Sequence, residues 1–541
     1  MTPAKFFTLA VLALLAGPGA ARADAPLEAL RQRVEELRAG REVRVDGERI
    51  AARRLIAEFY ERLGFRPAWT PARAQELVAL VEASREDGLE PSDYHLAALR
   101  AGAEDQADRE LLYTDSLARL AYTLYFGKLD PRQVDPQWNF GRTLDGIDPV
   151  QALEGILRAP ALAPAVRAYA PQLPEYGNLR QSLARYRGIR DAGGWSGLPA
   201  GPTIKPGTRD PGVAALRARL AASGDLSPPA APEPDAEFYD PELEAAVARF
   251  QRRHGLEPDA LVGRRTRAAL NVGVQARIDQ IRVNLERLRW VAQDLKGDYL
   301  LVDIAGFRAR LTLDGRLAWS SRVVVGRPYR STPVFRATMK YIVLNPSWTV
   351  PPTILEEDIV PKVAQDPEFL ARSHMQVLDF EGRAVDPTGI DWASYLGRPL
   401  PYQIVQAPGD DNPLGRLKFM FPNSHDVYLH DTPARNLFDK PERAYSSGCI
   451  RVEHPIELAV LLLDDPERWN RDALLEAIAT GETRSVFLKR RVPVMLLYWT
   501  AVAADGGVVE FHPDLYGGDA QVLKGLRAPF RFNLPARDAG A

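Results

Sequence analysis

The chain has 541 residues, a hydrophobic content of 46% and a net charge of -2 from 69 basic and 71 acidic side chains. That length exceeds what one core serves and predicts about three domains of ordinary globular composition. With no basic surplus there is no field to draw a polyanion, which excludes nucleic acid as a partner.

Residues 1–23 read as an export signal. Lys5 supplies the positive charge, 6–16 the short apolar core, Gly17-Pro18-Gly19 the break and Ala21-Arg22-Ala23 the small-x-small cleavage site, so the mature chain is expected to begin near Asp24. An uncleaved anchor in the inner membrane is the alternative. No later stretch reaches the roughly 18 apolar residues of a membrane span.

Residues 24–192 carry a helical period. Leu30, Val34 and Leu37 share one face, Leu55, Phe59 and Leu63 another, and Leu117, Leu120 and Leu124 repeat the spacing. The stretch 88–95 interrupts them as a loop, with His95 read as a capping or core-edge residue. A Gly/Pro-rich linker, 193–211, follows. Residues 212–273 then form a compact module: Val213, Leu216 and Leu220 open one helix, a Pro/Ala-rich insertion runs to about Pro234, and Phe250-Gln251, His254-Gly255-Leu256, Val262-Gly263, Thr266 and Leu270-Asn271 complete it.

The last domain is expected over 274–541. Val274, Ile278, Ile281, Leu285 and Leu288 make an amphipathic helix, and from Tyr299 the period changes to two. Strands are expected at 301–304, 310–313, 321–325 and 341–344, with Asp314-Gly315 as a hairpin turn. Between 345 and 403 the strand pattern stops and helical text at 355–363 and 367–372 fills the gap. An interruption this long inside a β domain predicts a functional lid, with Trp348 lining the site or its core. A turn-rich loop, 409–415, borders the cleft before a strand at 418–421. Another strand runs over 492–498, closed by a turn at 505–507, and His512 is structural.

The chemistry centres on His430 and on Ser446-Ser447-Gly448-Cys449-Ile450-Arg451, which holds the sole cysteine of the chain. A free thiol with pKa near ~8.5 is mostly protonated at neutral pH, so a nucleophilic role needs a base or a positive charge beside it. His430 and Arg451 are the candidates. Val427 and Leu429 alternate with Asp426, Tyr428 and His430, as in a strand with one buried face, so Tyr428 and His430 share a side and His425 points away. Ser447 and Gly448 are small and turn-prone, so backbone N–H groups there fit an oxyanion hole. Pro455 opens a helix, which makes His454 a rival base better suited to capping. Two blander readings stand beside this one: a buried hydrophobic cysteine, and a metal site of His425, His430 and Asp431. In an exported chain a lone cysteine stays a free thiol, and redox sensing would need a second one.

The strand-borne His and, with its Cys nineteen positions on, Ser-x-Gly-Cys followed by Arg resemble the catalytic domain of L,D-transpeptidases, which cross-link bacterial peptidoglycan. Many members have His where Ser447 stands, and the Ser-Ser-Gly-Cys form resembles the large periplasmic branch of Gram-negative bacteria. Residues 24–192 resemble that branch's scaffold domain, 345–403 its substrate-capping insertion, and 212–273 a three-helix peptidoglycan-binding module, with Ala260 where Gly is usual. The resemblance implies a multidomain α+β fold: a helical N-terminal scaffold, the small module, and a mainly-β catalytic domain with a partly helical capping insertion.

It also implies a periplasmic acyltransferase of cell-wall biogenesis and cell shape. Cys449 is the nucleophile and His430 its base; Ser447, Gly448, Arg451, Tyr428 and Trp348 serve the oxyanion or position substrate. The product is a 3–3 cross-link between meso-diaminopimelate residues, with release of terminal D-alanine. The partners are donor and acceptor stem peptides and other cell-wall synthesis proteins, and no metal or organic cofactor is implied. A hydrolase or L,D-carboxypeptidase using the same site, and a non-catalytic wall-binding scaffold, are the alternatives.

Overall fold

A computed structural model describes residues 20–227, 235–504 and 506–535, with side chains from residue 27 onward. Most of the export-signal reading, most of the Pro/Ala-rich insertion and Asp505 of the last turn lie outside the described residues. Among the described residues no helix is long and apolar enough to cross a membrane.

One of two units takes the residues up to Lys128, Arg142–Pro171 and the segment from Ala528. Its main helices are α1 (Ala20–Arg38), α2 (Arg53–Arg62), α3 (Pro71–Ala83), α4 (Gln106–Phe126) and α5 (Pro149–Arg158). Asp105 starts α4 by accepting from the N–H groups of Ala107 and Asp108, and Gly127 at φ 85 ends it. Leu30, Val34, Leu37, Leu55, Phe59, Leu117, Leu120 and Leu124 are buried, as their spacing predicts. His95 does take the N-cap position of the short helix Leu96–Ala101, but inside the core and not at its edge. It caps nothing with its side chain and is 1% exposed, its ring held between Glu48 at 2.9 Å and Asp115 at 2.8 Å. Asp115 is itself fully buried and takes Arg119 Nε at 2.7 Å as well, because a buried carboxylate needs hydrogen-bonded partners.

The second unit holds Leu129–Gly141 and Gln172–Arg527. Helix α6 (Pro174–Asp191), at the end of the stretch 24–192, belongs with the second unit. A periodic pattern tells that a helix has an apolar face, not which core receives it. The three-helix module follows as α7 (Gly212–Ser223), α8 (Pro241–Arg253) and α9 (Arg264–Leu270), packed on Val213, Leu216, Leu220, Leu243, Phe250 and Leu270. Ala260 sits at φ 58, a left-handed backbone that favours glycine, and its N–H donates to Gln251 Oε1 at 2.8 Å.

Helix α10 (Val274–Val291) leads into the β domain, where Arg289 donates to the Tyr176 hydroxyl of α6 at 2.9 Å. The strands are β1 (Tyr299–Asp303), β2 (Arg308–Leu313), β3 (Arg316–Gly326), β4 (Phe335–Leu344), β5 (Trp348–Thr349), β6 (Met375–Leu378), β7 (Ala384–Val385), β8 (Gln403–Gln406), β9 (Leu417–Met420), β10 (Leu429–His430), β11 (Ala444–Ser446), β12 (Ile450–Val452) and β13 (Arg484–Leu497). Asp314 and Gly315, at φ 50 and 72, turn β2 into β3 as a hairpin of right-handed twist requires. One sheet runs β11–β3–β12–β10–β9–β4–β13–β1–β2, and β2 also pairs with β3, so eight of its strands close into a ring around an apolar core.

The stretch 345–403 is not the strand-free insertion that its sequence suggests. It forms, together with β8, which runs on to Gln406, a separate sheet in the order β5–β8–β6–β7, beside a π-helical turn (Leu355–Ile359) and the short helix α11 (Val360–Gln365). Val350, Leu355, Val360, Val363, Trp392 and Ile404 give it a core of its own. These strands are two to four residues long, too short to show an alternation.

Candidate functional site

The pairing of β10 with β12 builds the site. The two strands run parallel, with Leu429 beside Ile450 and His430 beside Arg451, and the Ile450 N–H donates to the Tyr428 carbonyl at 3.1 Å. Leu429 and Ile450 are fully buried in the ring core. Alternation therefore sends Tyr428, His430, Cys449 and Arg451 to the opposite face, and all four line one cavity of about 960 Å³. His425 lines it too, against the expectation that it points away. Asp426 at φ 53 breaks the strand, so alternation does not carry back past it, and the His425 ring lies 4.8 Å from Phe335.

The cysteine loop is braced at every residue. Gly448 adopts φ 117, which a side chain would oppose. Its N–H donates to Ser446 Oγ at 3.1 Å, and that hydroxyl donates onward to the Cys449 carbonyl at 2.6 Å. Thr332 Oγ1 accepts from the Gly326 N–H at 2.9 Å and donates to the Gly448 carbonyl at 2.8 Å. The Ser447 hydroxyl accepts from Arg330 Nη1 at 2.9 Å, and the same guanidinium binds Asp358 at 2.5 Å and Glu357 of the insertion. Helix α12 (Pro455–Leu463) follows the loop and packs Leu458, Leu462 and Leu463 into the ring core.

His430 is 4% exposed, and burial together with the Arg451 and Lys418 charges pushes its pKa down to about 3. The imidazole is neutral. Its Nδ1 lies 2.5 Å from the Asp431 carbonyl, an acceptor that holds the proton of the neutral ring there, and the Pro413 carbonyl also acts on the ring. Asp431 is in turn anchored: its carboxylate accepts from the Arg416 N–H at 2.9 Å and pairs with Arg435. Gly415, at φ 60, passes so close that a Cβ there would sit 2.5 Å from the Asp431 carboxylate.

Burial pushes the Cys449 thiol up, while hydrogen bonds from the Tyr428 N–H and hydroxyl and the charges of Lys418 and Arg451 pull it down. Burial likewise raises Tyr428. Arg451 is lowered by burial and by Arg327, and among the described residues it has no carboxylate partner and its Nε no acceptor. A half-buried guanidinium facing a cavity in this way suits a ligand carboxylate.

Trp348 on β5 lines the cavity from the insertion side, packed against the insertion's core as well. Asp411, Pro413 and Leu414 of the 409–415 loop also border it. His454 lies outside, exposed, 3.7 Å from Glu453 and without a capping bond. Among the described residues no three His, Cys, Asp or Glu side chains are placed to hold a metal ion.

Residues 297–481 match the family model for the L,D-transpeptidase catalytic domain. Residues 209–270 match that of the "Putative peptidoglycan binding domain", and 54–183 that of the scaffold domain. Residues 297–481 thus carry an L,D-transpeptidase catalytic domain. A "Putative L,D-transpeptidase" of Haemophilus influenzae is 38% identical over 243 residues, 45% of this chain and 48% of that protein, so the match spans about half of the relative's length. An L,D-transpeptidase from Mycobacterium smegmatis aligns at 14% identity and a TM-score of 0.19 over 37% of this chain and 58% of its own. The L,D-transpeptidase (residues 123–326) from Xylanimonas cellulosilytica aligns at 16% and 0.17 over 55% and 99%.

Within this L,D-transpeptidase domain, sequence reasoning missed Thr332, Arg330 and Lys418, and it named Ser446 without giving its side chain a role. Thr332 and Arg330 reach the loop from β3's far end, more than a hundred positions away, and nothing local marks them. Lys418 carried a faint signal, a lysine between Leu417 and Phe419 in an otherwise apolar strand.

Proposed function

We propose that the chain is a peptidoglycan L,D-transpeptidase of the large periplasmic branch, forming 3–3 cross-links through a thioester on Cys449. The observation that carries this reading is the shared cavity face of Tyr428, His430, Cys449 and Arg451. The neutral His430 takes the Cys449 proton on Nε2 as Sγ attacks the carbonyl between meso-diaminopimelate and D-alanine. The oxyanion falls to the Cys449 N–H and the Tyr428 hydroxyl, since the Gly448 N–H is already held by Ser446. The C–N bond then breaks, His430 returns its proton to the departing D-alanine amine, and the thioester remains. The side-chain amine of a second stem attacks it, His430 removes the amine proton, and the thiol reforms. Arg451 holds a stem carboxylate, and the insertion with Trp348 covers the cleft so that water loses the competition for the thioester.

Export by residues 1–23 into the periplasm, with an inner-membrane anchor as the alternative, belongs to the same proposal, as does wall binding by the three-helix module. The test is incubation of the chain and its Cys449→Ala and His430→Gln variants with disaccharide-tetrapeptide, followed by mass analysis. The expected product is a dimer lacking one D-alanine, abolished in Cys449→Ala and reduced by at least about a hundredfold in His430→Gln. A tripeptide alone would mean hydrolysis, and unchanged substrate with retained wall binding would leave only a scaffold.

A further inference from the structure

Lys418 stands on β9 opposite His430 of β10 in an antiparallel register, so its side chain leaves the sheet on the same face as the cavity residues. Its Nζ lies 3.9 Å from the centroid of the Tyr428 ring. Among the described residues no carboxylate pairs with it, although it is half-buried. A half-buried ammonium with no carboxylate in ion-pair contact is costly, and its placement on a π face, with Asp426 acting from further off, offsets only part of that cost. The Cys449 sulfur lies 3.9 Å from the Asp426 carbonyl, and both Tyr428 and the Lys418 charge act on it.

We propose that Lys418 is a positioning residue for the acyl-transfer reaction, seating its ammonium on the Tyr428 ring so that the Tyr428 hydroxyl is aimed at Cys449 and strengthened as a donor to it. This rests on the reading of Cys449 as the nucleophile. A cation on the ring face draws electron density from the phenol, and its field favours a thiolate at Cys449 over the thiol. The same field disfavours an imidazolium at His430, in keeping with the direction in which that group is pushed. The groups facing the sulfur are Asp426 from the turn, Tyr428 and His430 from β10, Arg451 from β12 and Lys418 from β9. Asp426 works against the thiolate, and the two cations work for it.

The test follows alkylation of Cys449 by iodoacetamide against pH in the full chain, which needs no peptidoglycan. In Lys418→Met the profile should move up by about one pH unit, giving roughly tenfold slower alkylation at pH 7. Lys418→Arg should keep the original profile, since it retains a cation able to sit on the ring. In a Tyr428→Phe background, Lys418→Met should move the profile by less than half as much, because the hydroxyl that transmits the effect is gone. An unchanged profile in Lys418→Met, or fully additive shifts in the double variant, would overturn the proposal. Should Lys418→Met fail to fold, Lys418→Gln serves in its place. A chain that shows these profiles but yields tripeptide and no cross-linked dimer would sink the proposed cross-linking and leave this inference standing, since Cys449 is then still the nucleophile.

Discussion

At the scale of single residues, the reactive loop is held by hydroxyl groups that bond twice. Thr332 is 2% exposed and links the Gly326 N–H to the Gly448 carbonyl, so Thr332→Val strands two buried polar groups while keeping the shape. The expected outcome is a loss of about 1–3 kcal/mol in urea unfolding and a fall in kcat that exceeds it, measured as dimer formation. Gly326→Ala should be worse. A Cβ there would stand 2.2 Å from the Arg330 carbonyl, so the backbone carrying Arg330 and Thr332 must shift. Equal activity in Gly326→Ala would mean that this segment does not set the loop.

Among elements, the junction of the insertion with the ring carries the most consequence. Arg330 joins Glu357 and Asp358, in the π-helical turn ahead of α11, to Ser447 beside the nucleophile. Its side chain is 9% exposed, whereas Glu357 is 57% exposed, so solvent screens that pair and the Asp358 and Ser447 bonds dominate. Arg330→Gln should raise amide hydrogen exchange across 352–365 and increase the ratio of hydrolysed to transferred product several-fold. If exchange rises and the ratio stays fixed, the insertion has no part in excluding water. The same scale shows why the insertion was hard to read. Its strands pair across long separations, Gln406 with Trp348 and Gln403 with Leu378, and each is too short to carry a period.

For the whole molecule, buried histidines decide the acid side of stability. His430 is pushed down to about 3 and His512 to about 4, mainly by burial, and His254 well below its ordinary value for the same reason. Their folded pKa values lie under the unfolded one near ~6.5, so below that pH the unfolded chain binds more protons and stability falls as pH drops. Asp303 acts oppositely: burial raises it to about 6, so protonation favours the folded state there. Together these predict that the second unit loses on the order of 3 kcal/mol between pH 7.5 and 5.5. Urea unfolding at the two values checks this, and equal or greater stability at pH 5.5 would refute the buried neutral histidines.

What the sequence by itself determined was local. The spacing of Leu30, Val34 and Leu37, the change of period at Tyr299, the Asp314-Gly315 turn and the motif around Cys449 each depend on neighbours a few residues apart. Only the tertiary structure decided the rest. It gave α6 to the second unit, buried His95 between Glu48 and Asp115, turned His425 into the cavity and brought Lys418, Thr332 and Arg330 to the site. The physical reason is that a periodic pattern fixes which side of an element is apolar, whereas partners across β pairings and buried charges are chosen by register and by the need to satisfy each polar group.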